Sequence, residues 1–237
     1  MDHMVLGKKV HENVSKQLLR CVDEKLLSDV AHKIKNGLGG IGGFATLLER
    51  DLESDDPRKR LALRIQDGVK KVNELVVSLM TLVRVAEPRF EKVKLLSLLR
   101  DILRGYWDDE REPFQVISIH PDVKEDELVV HADPQMIQKM LDHAIRFTNL
   151  MGGRIESIHM NPQRRGKLNL EFYFLDNVSW KPLSEDIFQS MSDIEPVEAR
   201  LSLAIVDKMA RLHGGKVSLV SYENDQKVLK IHIMKGR

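Results

Sequence analysis

Apolar residues between Leu19 and Val83 recur every three or four positions, which is the spacing of one face of an α-helix. Two such stretches flank the segment LESDDPRKR, where Asp56 suits a helix N-cap and Pro57 suits the first turn of the second helix. The pattern therefore predicts an antiparallel helical hairpin. Its two apolar seams run through Leu27, Ala31, Ile34, Leu38, Ile41, Ala45 and Leu48, and through Leu61, Ile65, Val69, Val72, Val76, Leu79 and Val83.

A hairpin with an apolar seam along each helix is half of a four-helix bundle. The seams leave a wide apolar face uncovered unless a second copy of the chain covers it. We therefore expect a homodimer in which two hairpins form a four-helix bundle.

After Pro88 helices alternate with short strands. Helices are predicted over LLSLLRDILRGYW, with Ser97 as a candidate cap, over the segment that starts at Asp133-Pro134 and stops at Gly152 or Gly153, and over PVEARLSLAIVDKMARLHGG. Strands are predicted over FQVISIH and ELVVHAD, and two hairpins over RIESIHM with KLNLEFYFL and over KVSLVSYENDQKVLKIHIM. Because no strict βαβ alternation is present, the fold class is α+β, with helices on one face of a mixed sheet. The predicted domains are 13–87 and 88–237.

Composition limits the function. The 237 residues carry 37 Lys plus Arg and 36 Asp plus Glu, a net charge of +1, so no basic field favours nucleic acid or an anionic membrane. No apolar run approaches the roughly 20 residues that cross a bilayer, and no signal peptide is apparent. The single cysteine, Cys21, excludes an intramolecular disulfide, and none of the nine histidines has metal-ligand spacing. We expect a cytoplasmic protein without a metal site.

A glycine cluster, GLGGIG from Gly37 to Gly42, satisfies the G-x-G-x-x-G pattern. The dinucleotide fingerprint needs a buried strand before it, whereas DVAHKIKN is polar and helical, so we exclude that interpretation. Each helical glycine costs about 1 kcal/mol relative to alanine but leaves a surface without side chains. Gly39, Gly40 and Gly43 either let a docked partner approach closely or pack inside the bundle, and the sequence leaves both open.

His32 follows the seam residue Ala31, so it should lie beside the packed stripe and face water. The segment AHKIKNGL around it resembles the H-box of two-component sensor histidine kinases, usually A-H-E-[IL]-[KR]-[NT]-P-L. The family's later boxes follow in order: LDHAIRFT resembles the N-box, LDN the first glycine box, Ile187-Phe188 the F-box, and LSLAIV with LHGGK the second glycine box and its helix. From about Leu26 onward, the resemblance implies a dimerisation and histidine-phosphotransfer hairpin followed by a Bergerat-type ATP-binding α/β sandwich.

The chain departs from this family where magnesium and phosphates are held. The N-box asparagine that helps to bind magnesium falls at His143, and the asparagine one turn earlier falls at Lys139, although magnesium prefers hard oxygen ligands. Glycines that let the lid backbone approach the phosphates are replaced at Val178, Trp180, Arg200 and Ser202. Only Asp176, which in the family reads the adenine amino group, is kept. The resemblance therefore predicts that neither ATP nor magnesium is used as a cofactor.

In the hairpin the resemblance assigns the phosphoryl group to His32. The acidic residue that follows this histidine in the family is replaced by Lys33, which cannot accept the ring proton but can oppose protonation of the imidazole and attract phosphoryl oxygens. Asn36 keeps the polar position that the family uses to orient water in phosphatase action. The family's proline is replaced by Gly37.

We therefore expect a phosphorelay protein in which His32 exchanges a phosphoryl group with an aspartate of a response-regulator receiver domain. The receiver would supply its own magnesium and acidic pocket. Two alternatives stay open. One is an active ATP-dependent histidine autokinase, which robust nucleotide binding would favour. The other is a non-enzymatic dimeric scaffold that sequesters a regulator, which Lys33 favours.

Overall fold

In a computed structural model of the chain, the described residues are 24–84, 87–107, 118–121, 128–152, 154–163, 167–175, 194–222 and 226–234. The chain divides into two compact units, and the division falls between Arg84 and Val85. This point lies close to the predicted domain boundary at residues 87 and 88. Each unit has a separate fold.

The first unit is a hairpin of two helices, α1 (Glu24–Asp51) and α2 (Pro57–Val83). As predicted, Asp56 caps α2, its carboxylate accepting the backbone N–H of Arg58 at 2.8 Å, and Pro57 takes the first helical position. The Arg58 guanidinium also donates to this carboxylate and lowers the pKa of Asp56. The predicted helical hairpin is confirmed.

Small residues bring the two helices together. Ala31 and Ala45 of α1 and Ala62 of α2 are all buried. A Cβ atom added to Gly42 would lie 3.4 Å from Val69 Cγ1, so this glycine also packs against the opposite helix. Short side chains at these positions let the helix axes approach closely.

Each predicted seam divides into a covered part and an exposed part. The large residues that follow each other at seven-residue intervals are 42–52% exposed within one copy of the chain: Ile34, Ile41 and Leu48 on α1, and Ile65, Val72 and Leu79 on α2. Apolar residues repeated at this spacing form a continuous stripe along a helix. The hairpin therefore uses its small residues internally and leaves its large apolar residues on an open face.

The second unit contains three helices and seven strands among its described residues. The helices are α3 (Leu95–Trp107), α4 (Pro134–Leu150) and α5 (Val197–Leu212). The strands are β1 (Glu91–Lys94), β2 (Ser118–Pro121), β3 (Val129–Ala132), β4 (Arg154–Gln163), β5 (Lys167–Leu175), β6 (Lys216–Ser221) and β7 (Gln226–Met234).

A five-stranded mixed sheet organises this unit, with the strand order β2-β4-β5-β7-β6. β2 runs parallel to β4, and the other neighbouring strands are antiparallel. β1 and β3 pair separately as a two-stranded antiparallel sheet. The predicted hairpins β4–β5 and β6–β7 and the predicted α+β class are confirmed.

One face of the sheet carries the core. Alternate residues of β5 are buried, namely Leu168, Leu170, Phe172 and Phe174. The ring of Phe147 on α4 contacts Phe174 edge-on, with the ring centroids 6.3 Å apart. This contact shows that α4 packs on the same face.

A network of hydrogen bonds holds the start of α4, and the sequence predicted only its N-cap. Asp133 is the predicted N-cap, and its carboxylate accepts the N–H of Met136 at 3.0 Å and that of Arg89 at 2.8 Å. The Asp133 N–H donates to Nε2 of the buried His213 at 3.1 Å, and His213 Nδ1 donates to the Met209 carbonyl at 2.7 Å. His213 therefore has a structural role that joins the ends of α4 and α5.

The same network acts on the charge of the cap. Partial burial raises the pKa of the Asp133 carboxyl, but hydrogen bonds from the backbone N–H groups of Arg89, Met136 and Gln135 outweigh it and hold this pKa below its ordinary value. The cap is thus an ionised carboxylate at neutral pH.

One predicted helix cap is wrong, one strand was not predicted, and two glycines explain where neighbouring elements end or begin. Ser97 is not a cap, because α3 already begins at Leu95. β1 was not predicted, because only one of its four residues is buried. Gly152, with φ 71°, ends α4 as predicted. At Gly215 a Cβ atom would lie 1.7 Å from the His232 carbonyl oxygen, so only glycine lets β6 start this close to β7.

Candidate functional site

His32 lies on the open side of α1, as predicted. It is exposed, and so are Asn36, Gly39 and Gly43. These four residues follow each other at intervals of four, three and four, so they form one line along the helix. Lys33 is also exposed, about 100° further round the helix. The structure thus places an exposed histidine at one end of a strip of small and polar residues.

The glycines of the cluster differ in their surroundings. A Cβ atom added at Gly39, Gly40 or Gly43 would meet no other atom within 4 Å in the described chain, whereas the one at Gly42 would contact Val69. Packing between α1 and α2 therefore accounts for Gly42. It does not account for the other three, which lie along the open surface near His32.

The N-box positions lie on α4, where it packs against α5. His143 is partly buried, and its Nδ1 lies 3.4 Å from the hydroxyl oxygen of Ser202 on α5. Lys139 is exposed one turn before His143, and Arg146 is partly buried one turn after it. The structure therefore brings two of the predicted positions, His143 and Ser202, together, and it places Lys139 one turn before His143 on α4.

Burial and two cations hold His143 in its neutral form. Burial is the largest cause that lowers the pKa of His143, and the charges of Arg146 and Lys139 lower it further, while Asp142 opposes them. The resulting pKa lies below the ordinary value of 6.5. At neutral pH the imidazole is uncharged.

A groove of about 780 Å³ runs along the other side of α4, between it and α3. Its lining includes Asp101, Tyr106, Lys139 and Asp142. The hydroxyl of Tyr106 donates to Asp142 Oδ1 at 2.8 Å, and burial, followed by the negative charge of Asp142, raises the pKa of Tyr106 well above its ordinary value. Sequence patterns gave no signal for this pair, because its members are 36 residues apart.

The remaining predicted nucleotide residues fall in two groups. Arg200 is described at the start of α5, where its Nη2 lies 3.4 Å from the carboxylate of Glu195. Asp176, Val178, Trp180 and the Ile187-Phe188 pair lie outside the described residues. Among the side chains that the structure describes, no group of three or more His, Cys, Asp or Glu residues could hold a metal ion.

The neutral His143 predicts a pH dependence of stability. Its pKa is lowered in the folded chain, so the unfolded chain binds more protons once the pH falls below about 6.5, and stability is then lost as the pH falls. Well above that pH the imidazole of His143 is neutral in both the folded and the unfolded chain, so it does not change the free energy of unfolding with pH. We expect the urea midpoint of the wild-type chain to fall more steeply between about pH 7.5 and pH 5 than that of His143→Asn. Equal slopes for the two chains would contradict the assignment.

The helical hairpin matches a known protein family. Residues 23–88 match the family described as the His Kinase A (phospho-acceptor) domain, a range that contains both helices of the hairpin and His32. These residues are a histidine-kinase phospho-acceptor domain. The mixed-sheet unit that follows has the fold of solved histidine kinases, so the chain resembles the two-domain core of sensor histidine kinases in the order that the boxes predicted.

One curated relative is similar over almost the whole chain. The sensor protein KdpD of Clostridium acetobutylicum is 22% identical over 250 aligned residues, which cover 99% of this chain and 27% of that protein. The chain spans about a quarter of the length of the curated relatives it matches.

Two solved structures show the same fold. The structure of histidine kinase ThkA in complex with the response regulator protein TrrA has a TM-score of 0.64 and 21% identity, covering 100% of this chain and 68% of that one. Full-length ShkA in complex with AMPPNP has a TM-score of 0.65 and 16% identity, covering 91% of this chain and 47% of that one. Within the part of the chain that the structure describes, no helix has the length and apolar character to span a bilayer.

Proposed function

We propose that this histidine-kinase core works as a phosphorelay protein in which His32 exchanges a phosphoryl group with the aspartate of a response-regulator receiver domain. The observation that carries the proposal is the position of His32 on the open side of α1, in line with Asn36, Gly39 and Gly43. A line of small residues beside the acceptor leaves room for the surface of another protein. The complex of ThkA with a response regulator supports this class of partner.

The transfer needs only groups that the two proteins hold. A lone pair on a ring nitrogen of His32 attacks the phosphorus of the receiver's aspartyl phosphate, an N–P bond forms, and the P–O bond breaks with its electron pair leaving on the carboxylate. The proton on the other ring nitrogen then passes to solvent. Lys33 adds positive charge near the phosphoryl oxygens, and Asn36 can orient a water molecule one turn away. The receiver brings its own magnesium ion.

We also propose that the second unit no longer performs magnesium-dependent ATP catalysis. Lys139 has no lone pair for a metal when charged, and His143 offers nitrogen where magnesium prefers oxygen. Nδ1 of His143 already lies beside the Ser202 hydroxyl. These side chains do not suit a magnesium ion that bridges phosphates.

Two other functions have specific support. The match to full-length ShkA, which was solved with AMPPNP, favours an active autokinase, because the fold of a nucleotide-binding relative extends over 91% of this chain. Lys33 favours a scaffold that holds a regulator without accepting phosphate, because no acidic residue follows His32. Nucleotide binding distinguishes the first of these from our proposal.

Calorimetry with ATP and magnesium tests the proposed loss of ATP catalysis. We expect no saturable heat at micromolar ligand, because the charge of Lys139 repels the metal ion and His143 offers it a nitrogen in place of an oxygen. A dissociation constant in the micromolar range, about −8 kcal/mol of binding free energy, would instead support the autokinase.

We propose that the protein acts as a homodimer in the cytoplasm. The apolar faces of α1 and α2 run through residues that are 42–52% exposed in one copy, and a second hairpin of the same sequence presents the matching stripe. A single cysteine in 237 residues suits a reducing compartment.

Substitution of two neighbouring glycines separates docking from packing. Gly40→Leu adds a side chain to open space, so we expect an unchanged or higher melting temperature and a loss of phosphoryl transfer from the receiver. Gly42→Leu is the matched control, because its side chain meets Val69 and should lower the melting temperature. If Gly40→Leu melts earlier and transfer falls only in proportion to the folded protein, Gly40 belongs to packing and not to docking.

A further inference from the structure

Asp29 lies one turn before His32 on α1, and both side chains are exposed. The two residues are three positions apart, so their Cβ atoms are about 5–6 Å apart on the same side of the helix. Side chains of an α-helix lean toward its N-terminus, so the imidazole of His32 is inclined toward the turn that carries Asp29. The exposed line through His32 and Asn36 therefore has a carboxylate at its N-terminal end.

The carboxylate of Asp29 is available to this imidazole. Within the part of the chain that the structure describes, neither the Asp29 nor the His32 side chain takes part in a hydrogen bond or an ion pair. Seen down the helix axis, His32 lies about 60° to one side of Asp29, and Lys33 lies about 40° to the other side. The carboxylate thus lies between an imidazole and an ammonium group, one turn before both.

We propose that Asp29 is a positioning residue for the His32 nucleophile. Its carboxylate accepts a hydrogen bond from the ring N–H of His32, which fixes the tautomer and leaves the lone pair on the other ring nitrogen. This role rests on the proposed function, because it names the residue that assists the same phosphoryl transfer.

The carboxylate acts when charge develops on the ring. As the N–P bond forms, the P–O bond to the receiver's aspartate breaks with its electron pair, and the imidazole of His32 becomes positively charged. The carboxylate of Asp29 stabilises that charge, accepts the ring proton and passes it to solvent. The ring is then neutral and carries the phosphoryl group.

The two charged neighbours of His32 have different roles. The ammonium of Lys33 has three donors and no acceptor, so it cannot accept the ring proton, although it can attract phosphoryl oxygens. Only the carboxylate of Asp29 can accept from the ring N–H. Both groups are within one turn of His32, which is closer than the screening length of about 8 Å at physiological ionic strength.

Substitutions at one position separate charge from shape. Asp29→Asn removes the charge, and because asparagine and aspartate have similar helix propensities, the melting temperature should not change. We expect His32 to be labelled about tenfold more slowly, a smaller effect than a buried general base supplies, because water screens an exposed carboxylate. Asp29→Glu keeps the carboxylate and should restore most of the rate.

Asp67→Asn is the matched control. It removes the same charge from an exposed position on α2, close to Val69, which lies against Gly42. Gly42 is ten residues, about 15 Å, further along α1 than His32, so the charge of Asp67 is screened from the imidazole. This variant should be labelled as fast as the wild type, and an equal slowing would reveal an effect of overall charge and overturn the inference.

Each variant is labelled from two donors. Labelled phosphoramidate transfers its phosphoryl group to imidazole with loss of ammonia, so its rate reports the nucleophilicity of His32 without a receiver, once the label found on His32→Gln is subtracted. A labelled phospho-receiver reports the proposed transfer. We expect Asp29→Asn to be slowed with both donors. Slowing with the receiver alone would show that Asp29 contacts the receiver, and it would overturn the inference.

The two donors let the two proposals fail separately. Labelling of the wild type from phosphoramidate but not from the receiver overturns the proposed function, and the phosphoramidate rates still decide the role of Asp29. Equal rates for the wild type and Asp29→Asn with both donors overturn the role of Asp29 alone. An Asp29→Glu chain as slow as Asp29→Asn also overturns this role, and absence of label on His32 from either donor overturns both proposals.

Discussion

Replacing His32 with glutamine should abolish phosphoryl transfer from the receiver while leaving the fold intact. His32 is exposed on α1, so the change removes the proposed nucleophile without altering the packed face of the hairpin. We expect at least a thousandfold loss of transfer rate, about 4 kcal/mol in the transition state. The measurement is the appearance of acid-labile, alkali-stable label on the chain after mixing with a labelled phospho-receiver.

A second histidine provides the control for this variant. His131 lies on β3 in the other unit, where its ring stacks on Phe90, with the centroids 5.9 Å apart. His131→Gln should accept phosphate as fast as the wild type. Label that persists in His32→Gln would place the acceptor elsewhere and remove the central residue from our account.

A single carboxylate on the open face of the hairpin should dissociate the dimer. Val72 is 43% exposed in one copy, and we propose that the second copy covers it. Val72→Asp would then place an unpaired charge in the interface of each protomer, with a cost of roughly 3–5 kcal/mol per site. We expect the dissociation constant to rise by at least about two orders of magnitude, and Ile34→Asp should act in the same way.

The control for this variant lies on the same helix. Leu63 is also 43% exposed, but it lies outside the predicted seam, so Leu63→Asp should leave the dimer intact. Light scattering at several protein concentrations measures the difference. A wild-type chain that is a folded monomer at micromolar concentration would contradict the dimer.

Periodic and capped elements of this fold could be predicted from sequence. Asp56 with Pro57 and Asp133 with Pro134 are local signals, and both mark helix starts in the structure. The prediction of Ser97 as a cap was wrong, although serine is a common cap residue. The helix begins two residues earlier, at Leu95, because the side chains of Leu95 and Leu96 are buried. The strand β1 gave no signal because its pairing with β3 is a long-range contact.

Sequence patterns predict the candidate site only where all of its residues lie on a single helix. Spacing alone places His32, Asn36, Gly39 and Gly43 on one line. The separate role of Gly42 depends on Val69 of the other helix, and no pattern within α1 shows it. Contacts between distant segments stay hidden in the same way: Ser202 reaches His143 across 59 residues, and His213 reaches Asp133 across 80.

The donor that labels His32 tests the account most directly. The full chain is incubated with magnesium and labelled ATP in one series and with a labelled phospho-receiver in another, and acid-labile label on the chain is followed over time. We predict rapid labelling from the receiver and none from ATP, with no label in His32→Gln from either donor. Label from ATP at a rate comparable to that from the receiver would contradict the account, and absence of label from both would leave only a scaffold.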